Sequence, residues 1–271
     1  MRRLSDIGEL GLLVELEQRG LVRAIENDAA QIDGVVVTQD ALVEGVHFRL
    51  DWITWRELGF RAAAVNLSDL AASGATPDGL IVSLGAPADT SVDDVLELYE
   101  GIAEAGVPVL GGDTTRADSL LLSVTAIGRS DRVPGRSGAR PGDMLVLTGP
   151  LGAAGAAFRN GSFVRPPIRL EEGRRLAAHA HAMLDLSDGI ARDAAHIATR
   201  SGCRLVIDLD QVPLAAGAKP EDIAFGEDYE LLAAVEDRGE FAVIGRCEPG
   251  DGVELIRAGK PVVLAAYEHF R

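Results

Sequence analysis

Twice along this sequence, short apolar runs alternate with stretches of helical spacing, and one Arg-, Gly- and Pro-rich segment, RSDRVPGRSGARPG (129–142), separates the two rounds. A segment so rich in turn residues continues neither a helix nor a strand. It marks a junction, so the chain reads as two mixed α/β domains, residues 1–135 and 136–271. In the first round Ile7, Leu10, Leu13 and Leu16 follow helical spacing over 7–19, and Gly20 is a fitting stop. Residues 34–39 read as a strand that Asp40 ends. Thr54 and Glu57 form a capping box opening a helix to about Ala72, which Ser73-Gly74 closes. GLIVSLG (79–85) reads as a strand, Ser91 caps a helix to about Ala105, 107–110 is a short buried strand and 119–128 another. The second round opens on a strand, MLVLTG (144–149). Helical stretches follow at 152–160 and 169–182, a short apolar segment at 182–186, and a helix between Gly189 and Gly202. Strands are expected at 204–209, 229–235, 241–246 and 261–266.

Bulk properties narrow the class of function. The 271 residues suffice for one large domain or two ordinary ones, and 47% hydrophobic with 25% charged residues is globular composition. No apolar run reaches the ~18 residues of a membrane span. The N-terminus, MRRLSDIGEL, has no apolar signal core and no cleavage site, so neither membrane insertion nor secretion is expected. Cys203 and Cys247 form no metal pattern and read as reduced thiols of a cytoplasmic protein. A net charge of −16 argues against a nucleic-acid partner. The only lysines are Lys219 and Lys260, so any phosphate clamp falls to arginine or metal.

The positions of the acids say more than their number. Asp28 lies in a loop before the first strand, Asp40 at a strand end, Asp113 after VPVL, and Asp185 and Asp188 just before a helix. Asp69 is the exception, deep in an otherwise apolar helix. A buried carboxylate is costly unless paired or metal-bound. Acids repeated at strand ends beside small residues suit hard-cation sites, and Mg²⁺ takes oxygen ligands while keeping waters and substrate phosphates in its shell. Any one of these acids read alone is more often a cap or turn residue; Asp188 before Gly189 fits that role. Asp40 and Asp69 cap nothing visible. The chain has no phosphate-binding G-x-x-x-x-G-K-[ST] loop. GPLGAAG (149–155) is either a phosphate-facing helix start or simple close packing. His179 and His181, two apart on a helix, point to different faces and do not suggest zinc.

In order along the chain stand END (26–28), TQDALVEGVHF (38–48), VNLSDLAASGATP (65–77), LYEG (98–101), LGGDTT (110–115), GRSGARPGD (135–143), LTGPLG (147–152), LDLSDGIARD (184–193) and FGEDYEL (225–231). Together they resemble the thiamine-monophosphate kinase family, within the superfamily of aminoimidazole ribonucleotide synthetase and selenophosphate synthetase, over nearly the whole chain. The EGVHF element points to this family rather than its relatives. The resemblance implies ATP-dependent phosphorylation of thiamine phosphate to thiamine diphosphate, with several Mg²⁺ ions and ATP as co-substrate. It implies metal ligands at Asn27, Asp28, Thr38, Gln39, Asp40, Asp69, Asp113, Asp185 and Asp188, with Asp40, Asp69, Asp113 and Asp185 central to catalysis. It places nucleotide contacts at Tyr99, Gly112, Arg136 and Ser187, and thiamine phosphate contacts at His47, Glu227 and Tyr267, the last stacking on the ring. It also implies a homodimer whose N-terminal sheets pair across a two-fold axis, with a C-terminal α/β sandwich completing the site. Asn27 stands where the family usually carries aspartate, and Gln39 where it carries Ser or Thr. Two other readings stay open: a related ATP-dependent enzyme with a different acceptor, and a nucleotide-binding relative with impaired catalysis.

Overall fold

The computed structural model describes residues 3–22 and 27–264, without the side chain of Leu10; Glu26 and Tyr267 lie outside that range. The first part of the chain supplies helix α1 (Leu4–Gln18), strands β1 (Ala30–Ile32) and β2 (Val35–Val43), and helix α2 (Trp55–Ala72). Strand β3 (Thr76–Ala86), helix α3 (Val92–Ala103) and strands β4 (Val109–Arg116) and β5 (Leu121–Arg129) follow. The second part runs β6 (Met144–Leu147), α4 (Ala153–Arg159), α5 (Leu170–Ala177), β7 (Ala182–Asp185), α6 (Ile190–Ser201) and β8 (Arg204–Asp208). A single 3-10 turn, Asp222–Ala224, leads to β9 (Leu231–Val235), β10 (Ala242–Glu248), β11 (Val253–Arg257) and β12 (Lys260–Val262). The first five strands form one sheet in the order β1-β2-β5-β3-β4, and the other seven a second in the order β12-β11-β8-β10-β6-β9-β7. The mixed α/β class read from the sequence is the class the chain adopts.

Helix α2 holds the two sheets together. The Thr54 hydroxyl accepts the Glu57 N–H at 3.2 Å while the Glu57 carboxylate accepts the Thr54 N–H at 2.9 Å, closing the capping box expected from the sequence. Leu58, Ala62, Ala63, Leu67 and Leu70 pack with Val36, Val82, Leu122 and Val124 of the first sheet. Ala71 and Ala72, at the end of the same helix, pack with Val146, Met183, Leu231 and Ala233 of the second. Buried on nearly every side, α2 has to be apolar nearly all round. It lies tight on α3 because Gly59 and Gly101 stand at the crossing. A Cβ on Gly59 would come within 1.8 Å of the Leu98 carbonyl, and one on Gly101 within 1.9 Å of the Arg56 carbonyl.

Several expected boundaries shift. Strand β2 runs on to Val43, so Asp40 sits within the strand and not at its end. The short strand expected at 107–110 is β4, longer and exposed along its length, because it pairs only with β3 and forms the sheet's edge. Gly112 and Asp113 therefore lie inside a strand. The helix expected over 169–182 stops at Ala177, since the His181 N–H is taken by the Ala234 carbonyl at 2.8 Å and the chain enters β7. Strands β1 and β11 are too short or too polar to stand out by apolar pattern. Among the described residues, no helix is long and apolar enough to cross a membrane.

Candidate active site

Alternation along β2 sorts its polar residues. Thr38 is buried towards α2, whereas Gln39 faces the other way, donating to Ser123 at 2.9 Å and accepting from Thr125 at 3.3 Å. Asp69 approaches Thr38 from α2, and the Thr38 hydroxyl donates to its carboxylate. Asp28 comes from the loop before β1 and Asp185 from the end of β7. Asp28, Asp69 and Asp185 each place an oxygen within 4.8 Å of the others. Asp40 accompanies them, its backbone N–H held at 3.0 Å by the buried side chain of Asn66. Arg136 reaches Asp28 through two nitrogens at 2.9 and 2.5 Å, and Ser68 donates to Asp185 at 2.6 Å.

This crowding has an electrostatic cost. Burial, then repulsion from Asp28, pushes Asp185 up to about 7, despite the Ser68 hydrogen bond and Arg136. Burial, followed by Glu227, Asp188 and Asp28, pushes Asp40 up to about 6. Asp69 rises well above the carboxylate range through burial and then Asp185, Asp40 and Asp28. Asp28 is raised by burial even with Arg136 beside it. Such a group holds either protons or a cation. Three convergent carboxylates with a hydroxyl alongside are the hard oxygen donors that Mg²⁺ accepts, so the residues present fit such an ion.

The neighbouring wall carries a different set. His47 accepts the Val43 N–H on Nδ1 at 3.0 Å, which leaves the proton of the neutral ring on Nε2. Arg61, buried on α2, donates to the His47 carbonyl at 2.6 Å and forms an ion pair with Glu227. Glu227 and Tyr229 hold φ of +57° and +51°, uncommon for residues with a Cβ. The turn is fixed by the Glu227 N–H on the Ser187 carbonyl at 2.8 Å. Gly226 before it has φ +85°, and a Cβ there would fall 2.3 Å from the same carbonyl. Asp193, buried on α6, accepts the Asp188 N–H at 3.0 Å and shapes the turn after Asp185. Arg192 lies 3.4 Å from both Asp188 and Glu9 of α1. His196 stays neutral, its pKa pushed down to about 4 by burial and by Arg136, Arg192 and Arg200.

These groups share one cleft of about 790 Å³. Asp28, Thr38, Asp40, His47, Asp69, Arg136, Asp185, Ser187, Asp188 and Glu227 all line it, drawn from both halves of the chain. Other residues singled out in the sequence stand elsewhere. The Asn27 amide oxygen is spent on the Arg136 N–H at 3.1 Å. Gly112 and Asp113 lie on edge strand β4, and Tyr99 packs half-buried against the first core. In strand register Asp113 shares a row with Ser83, Ser123 and Ala41, on the sheet face away from α2. Of the two readings of GPLGAAG, close packing matches the geometry. The buried Asp228 carboxylate accepts the Gly152 N–H at 2.8 Å, closing the start of α4, and a Cβ on Gly155 would fall 2.4 Å from the Asp222 carbonyl. His181 is bonded to buried Asp143 at 2.9 Å. Arg61, Asn66, Ser68, Asp193 and Tyr229 were not singled out. Arg61 carried the same signal as Asp69, a charge inside an apolar helix.

Comparison with known proteins agrees with this geometry. Residues 26–130 match the family model "AIR synthase related protein, N-terminal domain", and 140–257 match "AIR synthase related protein, C-terminal domain". The thiamine-monophosphate kinase of Aquifex aeolicus is 31% identical, covering 99% of this chain and 100% of its own. That of Mycobacterium tuberculosis is 36% identical over 90% of this chain and 84% of its own. A solved structure, "AaThiL complexed with AMPPCP and TMP", superposes with a TM-score of 0.90 at 30% identity, covering 99% of each chain. The hydrogenase maturation protein HypE in complex with ATP, 20% identical with a TM-score of 0.71 and coverage of 96% and 94%, shares the fold. With full-length relatives above 30% identity and Asp28, Asp40, Asp69, Asp185 and Asp188 of its motifs gathered in one cleft, the chain belongs to the thiamine-monophosphate kinase family.

Proposed function

We propose that this protein is an ATP-dependent kinase that transfers the γ-phosphoryl group of ATP to the phosphate of thiamine phosphate, releasing thiamine diphosphate and ADP. The observation that carries this is the convergence of Asp28, Asp69 and Asp185, from both halves of the chain, in a cleft that His47 and Glu227 also line. Phosphoryl transfer asks a protein for alignment and charge neutralisation more than for covalent chemistry. Asp28, Asp40, Asp69, Asp185 and Asp188, with Thr38, would hold Mg²⁺, which neutralises charge on the phosphates and orients them. An acidic chain could not approach those phosphates without it.

The chain's own residues do the rest. Thr38 and Ser68 fix the carboxylates of Asp69 and Asp185 by hydrogen bonds, so they need little reorganisation. Arg136 presents a guanidinium held by Asp28 at the nucleotide side, where Ser187 also lies. His47 offers an Nε2 proton to the acceptor's oxygens, and it acts as a donor, not a general base, because a phosphate acceptor is already ionised at neutral pH. Glu227, kept in place by Arg61, supports the acceptor side.

Tyr99, Gly112 and Asp113 enter through a second copy of the chain. The exposed edge strand β4 and the outward sheet face around Ile81 support a homodimer in which a neighbouring sheet carries these residues to the site. The division at 1–135 and 136–271 accompanies this reading, the five-stranded sheet forming the dimer and the seven-stranded sheet closing the cleft. Buried free thiols at Cys203 and Cys247 support a reducing, cytoplasmic setting. The test is direct: purified protein, ATP, Mg²⁺ and thiamine phosphate are mixed and thiamine diphosphate is followed by chromatography. Product that depends on every addition supports the proposal; ATP binding without product rejects it.

A further inference from the structure

Helix α1 reaches the cleft without joining a hydrophobic core. None of its described side chains belongs to any of the three clusters of buried apolar residues. The helix kinks at Gly8, a buried residue whose φ of +68° and ψ of −177° are open to glycine almost alone. Directly after the kink, Glu9 lines the cleft. Its carboxylate lies 3.4 Å from a guanidinium nitrogen of Arg192 on α6. Arg192 has a second carboxylate at 3.4 Å, that of Asp188, one turn earlier in the chain. The Arg192 side chain is the most buried of the three, 11% exposed against 27% for Asp188 and 40% for Glu9.

A guanidinium so buried has to be neutralised by an acid nearby. Asp188 could do that, but a divalent cation reaching the Asp188 carboxylate would then meet a positive charge beside it. Like charges that close repel strongly where water is scarce. Glu9 removes the conflict, because it offers Arg192 a carboxylate from outside the Asp28, Asp69 and Asp185 cluster. We propose that Glu9 is a positioning residue for the Asp188 side of the site: it takes up the charge of Arg192 and so leaves the Asp188 carboxylate to a divalent cation. This rests on the reading of Asp188 as an Mg²⁺ ligand. It gives α1 a part in tuning the metal, although α1 supplies none of the clustered acids. The competing role is a clasp, in which the Glu9–Arg192 pair does no more than hold α1 in place.

The test takes the full chain through Mg²⁺ titrations, read by melting temperature without nucleotide and by initial rate with ATP and thiamine phosphate. Glu9→Gln keeps the size of the side chain and removes its charge. The Mg²⁺ concentration at half-effect is expected to rise about fivefold in both titrations, the scale of a partly exposed ion pair. Arg192→Gln added to Glu9→Gln removes the competing charge and is expected to bring the midpoint back close to the wild-type value. In an Asp188→Asn background, Glu9→Gln is expected to shift the midpoint no further, because its effect passes through Asp188. A clasp gives a different pattern: a lower metal-free melting temperature in Glu9→Gln, an unmoved Mg²⁺ midpoint and no rescue by Arg192→Gln. That pattern overturns the proposal and leaves Asp188 standing as a ligand. A wild type whose melt and rate both ignore Mg²⁺ overturns the metal reading, and the role of Glu9 with it.

Discussion

Arg61 and Glu227 form an ion pair that spans the two halves of the chain, one residue on helix α2 and the other on the strained turn before β9. The same guanidinium holds the carbonyl of His47 at 2.6 Å, so one side chain ties both elements together. Arg61→Met leaves Glu227 without its cation in a largely buried place. It is expected to cost about 3 kcal/mol, the low end for breaking a buried pair, because Glu227 retains some access to water. Adding Glu227→Gln to the variant should recover part of that loss without recovering activity. Thermal melts of the two variants beside steady-state kinetics check this.

Asp69 is half-buried among acids, and no ion pair ties it to a cation among the described residues. Asp69→Asn is expected to lower turnover by at least roughly 10²-fold while the fold persists. The metal-free variant should melt at or above the wild-type temperature at pH 8, since one of the repelling charges is gone. Circular dichroism and a melt without Mg²⁺ decide the second point; near-normal activity would sink the metal-cluster reading.

The raised acids would give the proposed Mg²⁺ binding a pH signature. Asp40 at about 6 and Asp185 at about 7 hold protons in the folded, metal-free state that the unfolded chain, near 3.8, has already released. Between about 4 and 7 the folded state therefore binds more protons, and metal-free stability falls as pH rises through that window. Mg²⁺ displaces those protons, so the gain in Tm on adding Mg²⁺ should be small at pH 5 and large at pH 8. Equal gains at the two pH values would argue against these acids as ligands.

His47 lines the cleft with its ring oriented by the Val43 N–H, which Nδ1 accepts at 3.0 Å. His47→Ala should raise the KM for thiamine phosphate by roughly tenfold or more and leave that for ATP nearly unchanged. Initial rates with each substrate varied in turn test this; equal effects on both would remove His47 from the acceptor side.

Asn27 spends its amide oxygen on the Arg136 N–H. Asn27→Asp keeps that acceptor and adds charge close to Arg136. Activity with Mg²⁺ is expected to stay within about twofold of wild type or to improve. A large loss in the same rate assay would mean that the junction has been rebuilt around a neutral amide.

The parts of this molecule that show in the sequence are those set by neighbours along the chain. The Thr54–Glu57 capping box fixes where α2 begins, and Asp69 stands out because an acid has no reason to interrupt an apolar helix. Strand alternation is equally local, yet it separates Thr38 from Gln39 only once a partner for each face is known. What stays hidden depends on distant partners. Arg61 gives no hint of Glu227, which lies 166 residues away. The start of α4 looks open to a phosphate until Asp228 arrives from the far end of the second part to close it. Apolar content also misjudged β4: of VPVL only Val107 is buried in the core, and the strand that follows has a neighbour on one side only.

Helix α2 belongs to two hydrophobic cores at once, and this bears on how the chain can be divided. A fragment ending in the 129–142 junction would keep the five-stranded sheet but leave Ala71 and Ala72 facing water where Val146, Met183 and Leu231 now cover them. The other fragment would have to cover its sheet without that helix. The junction is thus a boundary in the sequence without being a place to cut. Expressed apart, the pieces would search for each other, and complementation in trans would succeed only when the Ala71–Ala72 end of α2 docked again on its second sheet.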